Sequence, residues 1–366
     1  MSTARRVLGV AAGAVGVAAA GTALRVAQRH RIIARRGVGD ETPFGSLRSE
    51  PLTVVADDGL PLHVEIDELD PQLVEGSGRR SRASRPRRLA ELTVVFVHGY
   101  ALNLDSWHFQ RAAYRGLVRA VYFDQRSHGR SGRSAEEHAT IEQCGRDLMR
   151  IIDQAVPDGP VVLVGHSMGG MTIVALAEEY PEIFGDRVVG VGLIATTAGG
   201  VEPHRVVLPL LPSTLGGQAA QRLVAALARG HKAVDRFRRV GRSVALVATD
   251  ELSFGDAVPA RYVEFVDQML SATPFGVVAD FFPTFGTLDK FETVHAMSSV
   301  PTAIICGTSD RLTPIEHSRR LHALIEGSTL LECPGAGHMV MLERHDQVNA
   351  ELDQLLAAAG DLVDER

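Results

Sequence analysis

Short apolar segments alternate with amphipathic segments along most of the chain, and this alternation limits the fold more than any other property. Short apolar runs are typical of buried strands, and strands that alternate with helices form a mostly parallel sheet. The predicted strands are Leu52–Ala56, Leu62–Ile66, Leu92–Val97, Ala120–Phe123, Val161–Val164, Val188–Ile194, Thr302–Cys306 and Thr329–Glu332. The predicted helices are Ile141–Ala155, Met171–Glu179, Pro314–Ile325 and Glu343–Ala358. The pattern therefore predicts an α/β fold.

Local signals refine this organisation. The turn residues Asp57-Asp58-Gly59 between the first two strands predict a β-hairpin. Thr140 with Gln143 predicts a capping box at the start of the helix Ile141–Ala155. Between about residues 200 and 290 the rhythm of strands stops, while helical stretches continue. We therefore expect one α/β core that is interrupted by a helical insertion.

Composition limits the classes of function. A chain of 366 residues with 45% hydrophobic residues can bury a sizeable core, which excludes a disordered chain. The three cysteines, Cys144, Cys306 and Cys333, are too few and too scattered for a disulfide framework or a zinc knuckle. A net charge of -6 argues against nucleic acid as a partner. Composition leaves the oligomeric state open.

The amino-terminal end carries an apolar segment, residues 7–24, with no charged side chain. As a helix it would be about 27 Å long, close to the hydrocarbon thickness of a bilayer. Three interpretations stay open: an uncleaved membrane anchor, a signal peptide cleaved near Ala18-Ala19-Ala20, or an apolar helix packed on the globular domain. The arginines that follow favour an anchor with a cytoplasmic catalytic domain, and secretion is the alternative. The basic residues 76–88 predict a solvated loop, or a contact with anionic lipid if the anchor exists.

A serine lies where a predicted strand meets a predicted helix, in Gly165-His166-Ser167-Met168-Gly169. A serine at such a corner has strained backbone, and the flanking glycines let the strand and the helix approach closely. Its hydroxyl projects from the carboxyl end of the sheet, beside the positive end of the helix. The pattern predicts that Ser167 is a nucleophile.

A base and an acid follow in the order that a triad on such a sheet requires. A serine hydroxyl is a weak nucleophile at neutral pH, so it needs a base, and the base needs an orienting group. Asp310 lies just after the strand Thr302–Cys306, and His338 lies just after the strand Thr329–Glu332. Either residue alone is more often an ordinary loop residue, but their joint placement predicts a Ser-His-Asp triad.

An oxyanion needs backbone N–H donors, and the candidates are those of Tyr100 and Met168. Tyr100 follows the third predicted strand, and Met168 opens the helix after the serine. The neighbouring His98 and His166 are expected to be structural.

Together these motifs resemble those of the α/β-hydrolase fold family, over about residues 45–360. The matching segments are His98-Gly99, Asp124–Ser131, the serine segment, Gly307–Asp310 and Gly337-His338. The resemblance implies a mostly parallel sheet of about eight strands, with helices on both faces and a helical cap inserted after the sixth strand. It also implies that Asp124, Arg126 and Gly129 shape a loop near the site. The residues that follow His98 are most similar to those of bacterial esterases and lipases, including monoacylglycerol-lipase-like enzymes.

The implied organisation has four parts: an anchor or signal with a basic linker at 1–40, a first core part at 41–199, the cap at 200–290 and a second core part at 291–366. The expected function is hydrolysis of carboxylic esters, of small molecules or lipids, through an acyl-enzyme, with no metal and no cofactor. Phe281, Phe282 and Phe285 are candidate walls of an acyl pocket, although packing of the cap on the core is an equal interpretation. Cleavage of thioesters, lactones or amides, perhydrolysis, and a non-catalytic ligand receptor remain alternatives.

Overall fold

A computed structural model describes residues 25–37, 43–76, 91–201 and 242–365. Within them eight strands form one sheet, in the order β1-β2-β4-β3-β5-β6-β7-β8. The strands are β1 Pro51–Val55, β2 Pro61–Asp67, β3 Thr93–Val97, β4 Arg119–Phe123, β5 Val161–His166, β6 Val188–Ile194, β7 Thr302–Gly307 and β8 Thr329–Cys333. β2 is antiparallel to β1 and to β4, and each later neighbouring pair is parallel. The predicted mostly parallel sheet of eight strands is confirmed, and β1 and β2 form the predicted hairpin.

Helices cover both faces of this sheet. Residues 25–35 are helical (α1), and the later helices are α2 Pro71–Gly76, α3 His108–Tyr114, α4 Ile141–Ala155, α5 Met168–Glu179, α6 Arg242–Ser253, α7 Ala260–Ala272, α8 Phe275–Thr287, α9 Ile315–Leu324, α10 Val340–Glu343 and α11 His345–Asp364. Alternate residues of β3 enter different apolar clusters, as the strand's period of two requires. Phe96 packs in the cluster that holds Leu352 of α11, and Val95 packs in the cluster that holds Leu148 of α4.

Two helix predictions differ from the structure in detail. The last helix, predicted as Glu343–Ala358, is split into α10 and α11 and continues to Asp364. The break occurs at Arg344, whose backbone angles of φ -129 and ψ 39 are not helical. The capping box at Thr140 is only half formed. The Gln143 N–H donates to Thr140 Oγ1 at 3.1 Å, as a capping box requires. The Gln143 side chain instead donates to Asp57 Oδ1 at 2.6 Å, across to the hairpin turn.

Between β6 and β7, most of the described residues from 242 onward are helical. There α6, α7 and α8, called here the inserted helices, follow one another, whereas residues 202–241 lie outside the described residues. The predicted apolar segment 7–24 and nearly all of the basic stretch 76–88 also lie outside them. Within the described part of the chain, we find no helix of the length and apolar character that crossing a membrane requires.

The helix α1 packs on the first of the inserted helices. Ile33 of α1 is fully buried in the core cluster that includes Leu246 and Val247 of α6. Arg29 Nε lies 3.2 Å from Asp250 Oδ2, and Arg36 Nη2 lies 3.0 Å from the same oxygen. The Asp250 side chain is only 1% exposed. Two arginines thus neutralise one buried carboxylate of α6.

Candidate active site

Ser167 occupies a sharp corner between β5 and α5. Its backbone angles are φ 52 and ψ -118, which a residue with a side chain adopts only at a cost of order 1–3 kcal/mol. Close packing enforces the corner, because a Cβ atom on Gly165 would lie 2.6 Å from the Gly169 backbone, and one on Gly169 would lie 2.0 Å from the Val97 oxygen. The two glycines therefore bring α5 against β5 and β3, and Ser167 is left between them.

His338 and Asp310 form a buried pair at the carboxyl ends of β8 and β7. His338 Nδ1 lies 2.8 Å from Asp310 Oδ2, and the two side chains are 8% and 0% exposed. The Asp310 carboxylate also accepts the N–H groups of Leu312 at 2.8 Å and of Thr313 at 3.0 Å. Because an ionised carboxylate only accepts hydrogen bonds, Nδ1 carries the proton and Nε2 is left as the basic nitrogen.

Ser167 lies next to this pair through its neighbour His166. The His166 and His338 rings have centroids 4.8 Å apart, and His166 Nε2 lies 3.0 Å from the His338 carbonyl oxygen. Within the described residues the Ser167 hydroxyl makes no hydrogen bond, to His338 or to any other group. The structure thus joins Asp310 to His338 and places Ser167 nearby. Hydrogen bonds between catalytic groups are in general often long in a free enzyme and shorten when substrate binds.

The two oxyanion candidates are Met168, which follows Ser167 in the chain, and Tyr100, whose neighbour Gly99 packs against the serine. Met168 is the first residue of α5 and is fully buried, and the first N–H groups of a helix have no partner inside the helix. Tyr100 follows Gly99, where a Cβ atom would lie 3.2 Å from the Ser167 Cβ. The turn that carries Tyr100 therefore passes directly against the serine.

Two of the three candidate pocket phenylalanines reach this region. Phe281 and Phe285 of α8 are buried in one apolar cluster with Met168, and Tyr100 packs against that cluster. The Phe285 ring lies edge-on to the Tyr100 ring with centroids 4.9 Å apart. Phe282 is also buried, but it belongs to none of the apolar clusters found among the described residues.

His98 and His166 are held in structural contacts, as expected. His98 Nδ1 lies 2.7 Å from the Gly99 oxygen, and the Gln125 N–H donates to His98 Nε2 at 2.9 Å. Burial lowers the pKa of His98 to about 4 and lowers the pKa of His166 well below its usual range. Both imidazoles are therefore neutral, and the first fixes the backbone just before Tyr100.

The loop after β4 is held by internal hydrogen bonds of Asp124 and by the tight turn at Gly129. The Asp124 carboxylate accepts the N–H groups of Leu104 and Arg130, each at 2.8 Å. Gly129 has φ +52, and a Cβ atom there would lie 2.3 Å from the Asp124 carboxyl carbon. Arg126 is fully buried and is paired with Asp147 through Nε at 2.6 Å. These residues shape the loop and touch none of the three triad side chains.

Thr313 is a site residue that the sequence analysis missed. Its hydroxyl lies 2.9 Å from Asp310 Oδ2 and 2.8 Å from the Ala195 oxygen. The signal that would have found it is its spacing of three residues from Asp310, since aspartate commonly accepts local backbone N–H groups at that distance. Among the described residues no group of three or more histidine, cysteine or carboxylate side chains is arranged to hold a metal ion.

Comparisons with known proteins identify a family and several relatives. The family model described as the alpha/beta hydrolase family matches residues 94–351. A monoacylglycerol lipase from Mycolicibacterium smegmatis is 26% identical over 258 residues, which cover 68% of this chain and 82% of that protein. A dihydrolipoyllysine-residue acetyltransferase component of an acetoin cleaving system from Pseudomonas putida is 26% identical over 282 residues, which cover 77% of this chain and 68% of that protein.

Solved structures share the fold. A thermophilic esterase from Thermogutta terrifontis superposes with a TM-score of 0.64 at 21% identity, covering 85% of this chain and all of that one (100%). An enol-lactonase from Burkholderia xenovorans gives a TM-score of 0.62 at 22% identity, covering 84% and 100%. Since the family match runs from β3 into α11 and includes the serine corner and the histidine–aspartate pair, this chain belongs to the alpha/beta hydrolase family.

Proposed function

We propose that the protein is a serine hydrolase that cleaves carboxylic esters through an acyl-enzyme. His338 Nε2 takes the proton of the Ser167 hydroxyl while the serine oxygen attacks the ester carbonyl carbon. The N–H groups of Tyr100 and Met168 stabilise the negative charge that develops on the carbonyl oxygen. The alcohol leaves with the proton from His338, and water, deprotonated by the same nitrogen, then releases the acid.

The observation that carries this proposal is the 2.8 Å bond between His338 Nδ1 and Asp310 Oδ2. It fixes the imidazole as the tautomer whose basic nitrogen is available, and the carboxylate stabilises the imidazolium that forms during the reaction. The strained backbone of Ser167 beside this pair is the second support, because such strain is found at functional positions.

The proposed substrates are esters with an apolar acyl group, including lipid esters. Phe281 and Phe285 pack in one apolar cluster with Met168 and next to Tyr100. We propose that the acyl chain of a substrate bound at the oxyanion site extends towards these two rings. We propose that residues 200–290 form a cap over the core and that Phe282 contributes to the same pocket. The monoacylglycerol lipase among the relatives supports a lipid ester.

The nucleophile is tested by labelling with a fluorophosphonate probe, followed by peptide mass mapping. We expect the probe on Ser167, and we expect Ser167→Ala to lose both the label and about 10⁴-fold or more of ester turnover. Ser299→Ala, at an exposed serine just before β7, is the matched control and should keep both. Labelling of another serine, or an active Ser167→Ala variant, would contradict the proposal.

The class of substrate is tested on the same preparations with chromogenic esters of increasing acyl length and with matched thioester, lactone and amide analogues. The proposal expects the highest kcat/KM for esters. If the protein instead prefers thioesters, lactones or amides, or forms a peracid from an acid and peroxide, the proposed ester hydrolysis is wrong and that reaction is its activity. If the protein shows neither turnover of any of these substrates nor labelling by the probe, the result would favour a non-catalytic receptor.

We also propose that residues 7–24 attach the protein to a membrane, with the catalytic domain on the cytoplasmic side. The support is the uncharged segment and the arginines that follow it. The chain expressed in bacteria should stay in the membrane pellet after carbonate washing, whereas a chain that begins at residue 25 should be released. Release of both chains, or secretion of the longer one, would contradict this proposal.

A further inference from the structure

The loop that carries the proposed base crosses the chain just after α6 in direct backbone contact. A Cβ atom on Gly337 would lie 2.5 Å from the Gly255 nitrogen, and a Cβ atom on Gly255 would lie 2.0 Å from the Gly335 oxygen. No side chain fits between the two segments. Residues 335–339, the histidine loop, and residues 254–256 therefore pack as one unit.

A single carboxylate, that of Glu343 at the end of α10, joins the two segments. Its Oε2 accepts the N–H groups of Gly337 at 2.8 Å and of Gly255 at 3.1 Å. Its Oε1 accepts the N–H group of Asp256 at 2.8 Å. The Glu343 side chain is 0% exposed, and hydrogen bonds to an ionised acceptor are about twice as strong as neutral ones. Gly337 directly precedes His338, so the carboxylate holds the backbone next to the base.

The last turn of α6 binds the other side of the same loop. The Ser253 carbonyl oxygen accepts the N–H group of Met339 at 2.8 Å, directly after His338. The Glu251 carbonyl oxygen accepts Arg311 Nη1 at 3.2 Å, directly after Asp310. The backbone just after His338 is thus bound directly to α6, whereas the backbone just before it is bound through Glu343 to the residues that follow α6.

We propose that Glu343 is a positioning residue, which directs the His338 imidazole at Ser167 by fastening the histidine loop to residues 254–256. This inference rests on the proposed function and extends it, since it makes the alignment of the base depend on the inserted helices. The Glu343 carboxylate accepts three backbone N–H groups and lies 3.7 Å from Arg344 Nη1, and it contacts none of the three candidate catalytic side chains, so we infer that it acts on the reaction through the position of His338.

The first test replaces Glu343 by glutamine, which keeps the volume but turns one acceptor oxygen into an amino group that faces N–H donors. A displacement of about 1 Å at the base can cost about 100-fold in rate. We therefore expect Glu343→Gln to lower kcat, and the rate of fluorophosphonate labelling of Ser167, by about 10- to 100-fold, with KM changed less than about 3-fold. Glu351→Gln is the matched control, because Glu351 of α11 bonds Thr329 of β8 rather than the histidine loop.

A double-mutant cycle separates positioning from a general loss of structure. In a His338→Ala background the same Glu343→Gln change should alter the residual rate less than about 2-fold, because the group through which it acts is gone. Equal losses in both backgrounds, or a folded Glu343→Gln variant with wild-type kcat, would overturn the inference.

Two further measurements keep the outcomes distinct. If Glu343→Gln does not fold, Glu343→Asp takes its place in the same cycle. This variant keeps the charge but shortens the side chain by one methylene, and we expect the same pattern of rates. If the wild-type protein is not labelled at Ser167, the proposed function fails; if it is labelled and the cycle shows no coupling, this inference alone fails.

Discussion

Individual side chains in this site are held mainly by backbone groups. Asp310 accepts two N–H groups of its own loop, and Glu343 accepts three from two different segments. Backbone N–H groups therefore supply much of the hold on each carboxylate, beside the side chains of His338 and Thr313 at Asp310 and of Arg344 at Glu343. Ser167 is fixed in the same manner, by glycines that leave no room for another corner geometry.

Three buried histidines make the fold sensitive to acid. Burial lowers the pKa of His98 to about 4 and of His128 to about 3, and it lowers the pKa of His166 well below the usual 6.5. In the unfolded chain these imidazoles bind protons near pH 6.5, whereas in the folded chain they do not. Their contribution to stability is therefore complete above pH 6.5 and is lost as the pH falls from 6.5 towards 4.

The change that tests this contribution is His128→Gln, which removes one of the three protonation sites. Between pH 6.5 and 4.5 we expect the slope of the unfolding free energy against pH to decrease by about 1.4 kcal/mol per pH unit. Urea denaturation at several pH values measures this slope. His295→Gln, at an exposed position, controls for the substitution itself, and equal slopes for wild type and His128→Gln would refute the assignment.

The candidates Ser167, Asp310 and His338 were predicted from their joint placement, because each follows a strand and parallel strands end at one edge of a sheet. Thr313 and Glu343 were not predictable in this way. The contacts of Glu343 join positions 88 residues apart in the sequence, and no local pattern encodes which loops cross. Gln143 illustrates the same limit, since Asp57 of a distant turn competes successfully for its side chain.

Among the helices, α1 has a role that its sequence did not reveal. Its arginines predicted the orientation of a membrane anchor, but Arg29 and Arg36 are paired with Asp250 of α6. The Arg29 side chain is 42% exposed, whereas that of Asp250 is 1% exposed. The pair is therefore asymmetric: the carboxylate depends on the arginines more than the reverse.

This asymmetry predicts an order of stabilities. The double variant Arg29→Ala/Arg36→Ala leaves a buried carboxylate without a partner and should lower the unfolding free energy by about 3–5 kcal/mol. Asp250→Asn leaves Arg36, which is 10% exposed, and Arg29, which is 42% exposed and can turn towards water, and should cost less, about 1–2 kcal/mol. Urea denaturation measures both, with Arg35→Ala, exposed on the same helix, as the control. An Asp250→Asn variant that is the less stable of the two would contradict the asymmetry.

At the scale of the whole molecule, the sheet was the part that the sequence predicted best. Its strands are short apolar runs bounded by polar turns, and burial on both faces leaves them little alternative. The boundary of the last helix was less predictable, because the backbone at Arg344 leaves the helical region while the apolar pattern continues across it. That break sets Glu343 at a helix end, where its carboxylate reaches the histidine loop.

The packing of α1 on α6 has a practical consequence for recombinant work. Shortening the gene to remove the apolar segment 7–24 is a natural step towards a crystallisable protein, yet a start after residue 36 would also delete Arg29, Ile33 and Arg36. The buried carboxylate of Asp250 would then lose its partners, three residues before Ser253, whose carbonyl oxygen binds the histidine loop. Expression plasmids should therefore retain everything from residue 25 onward.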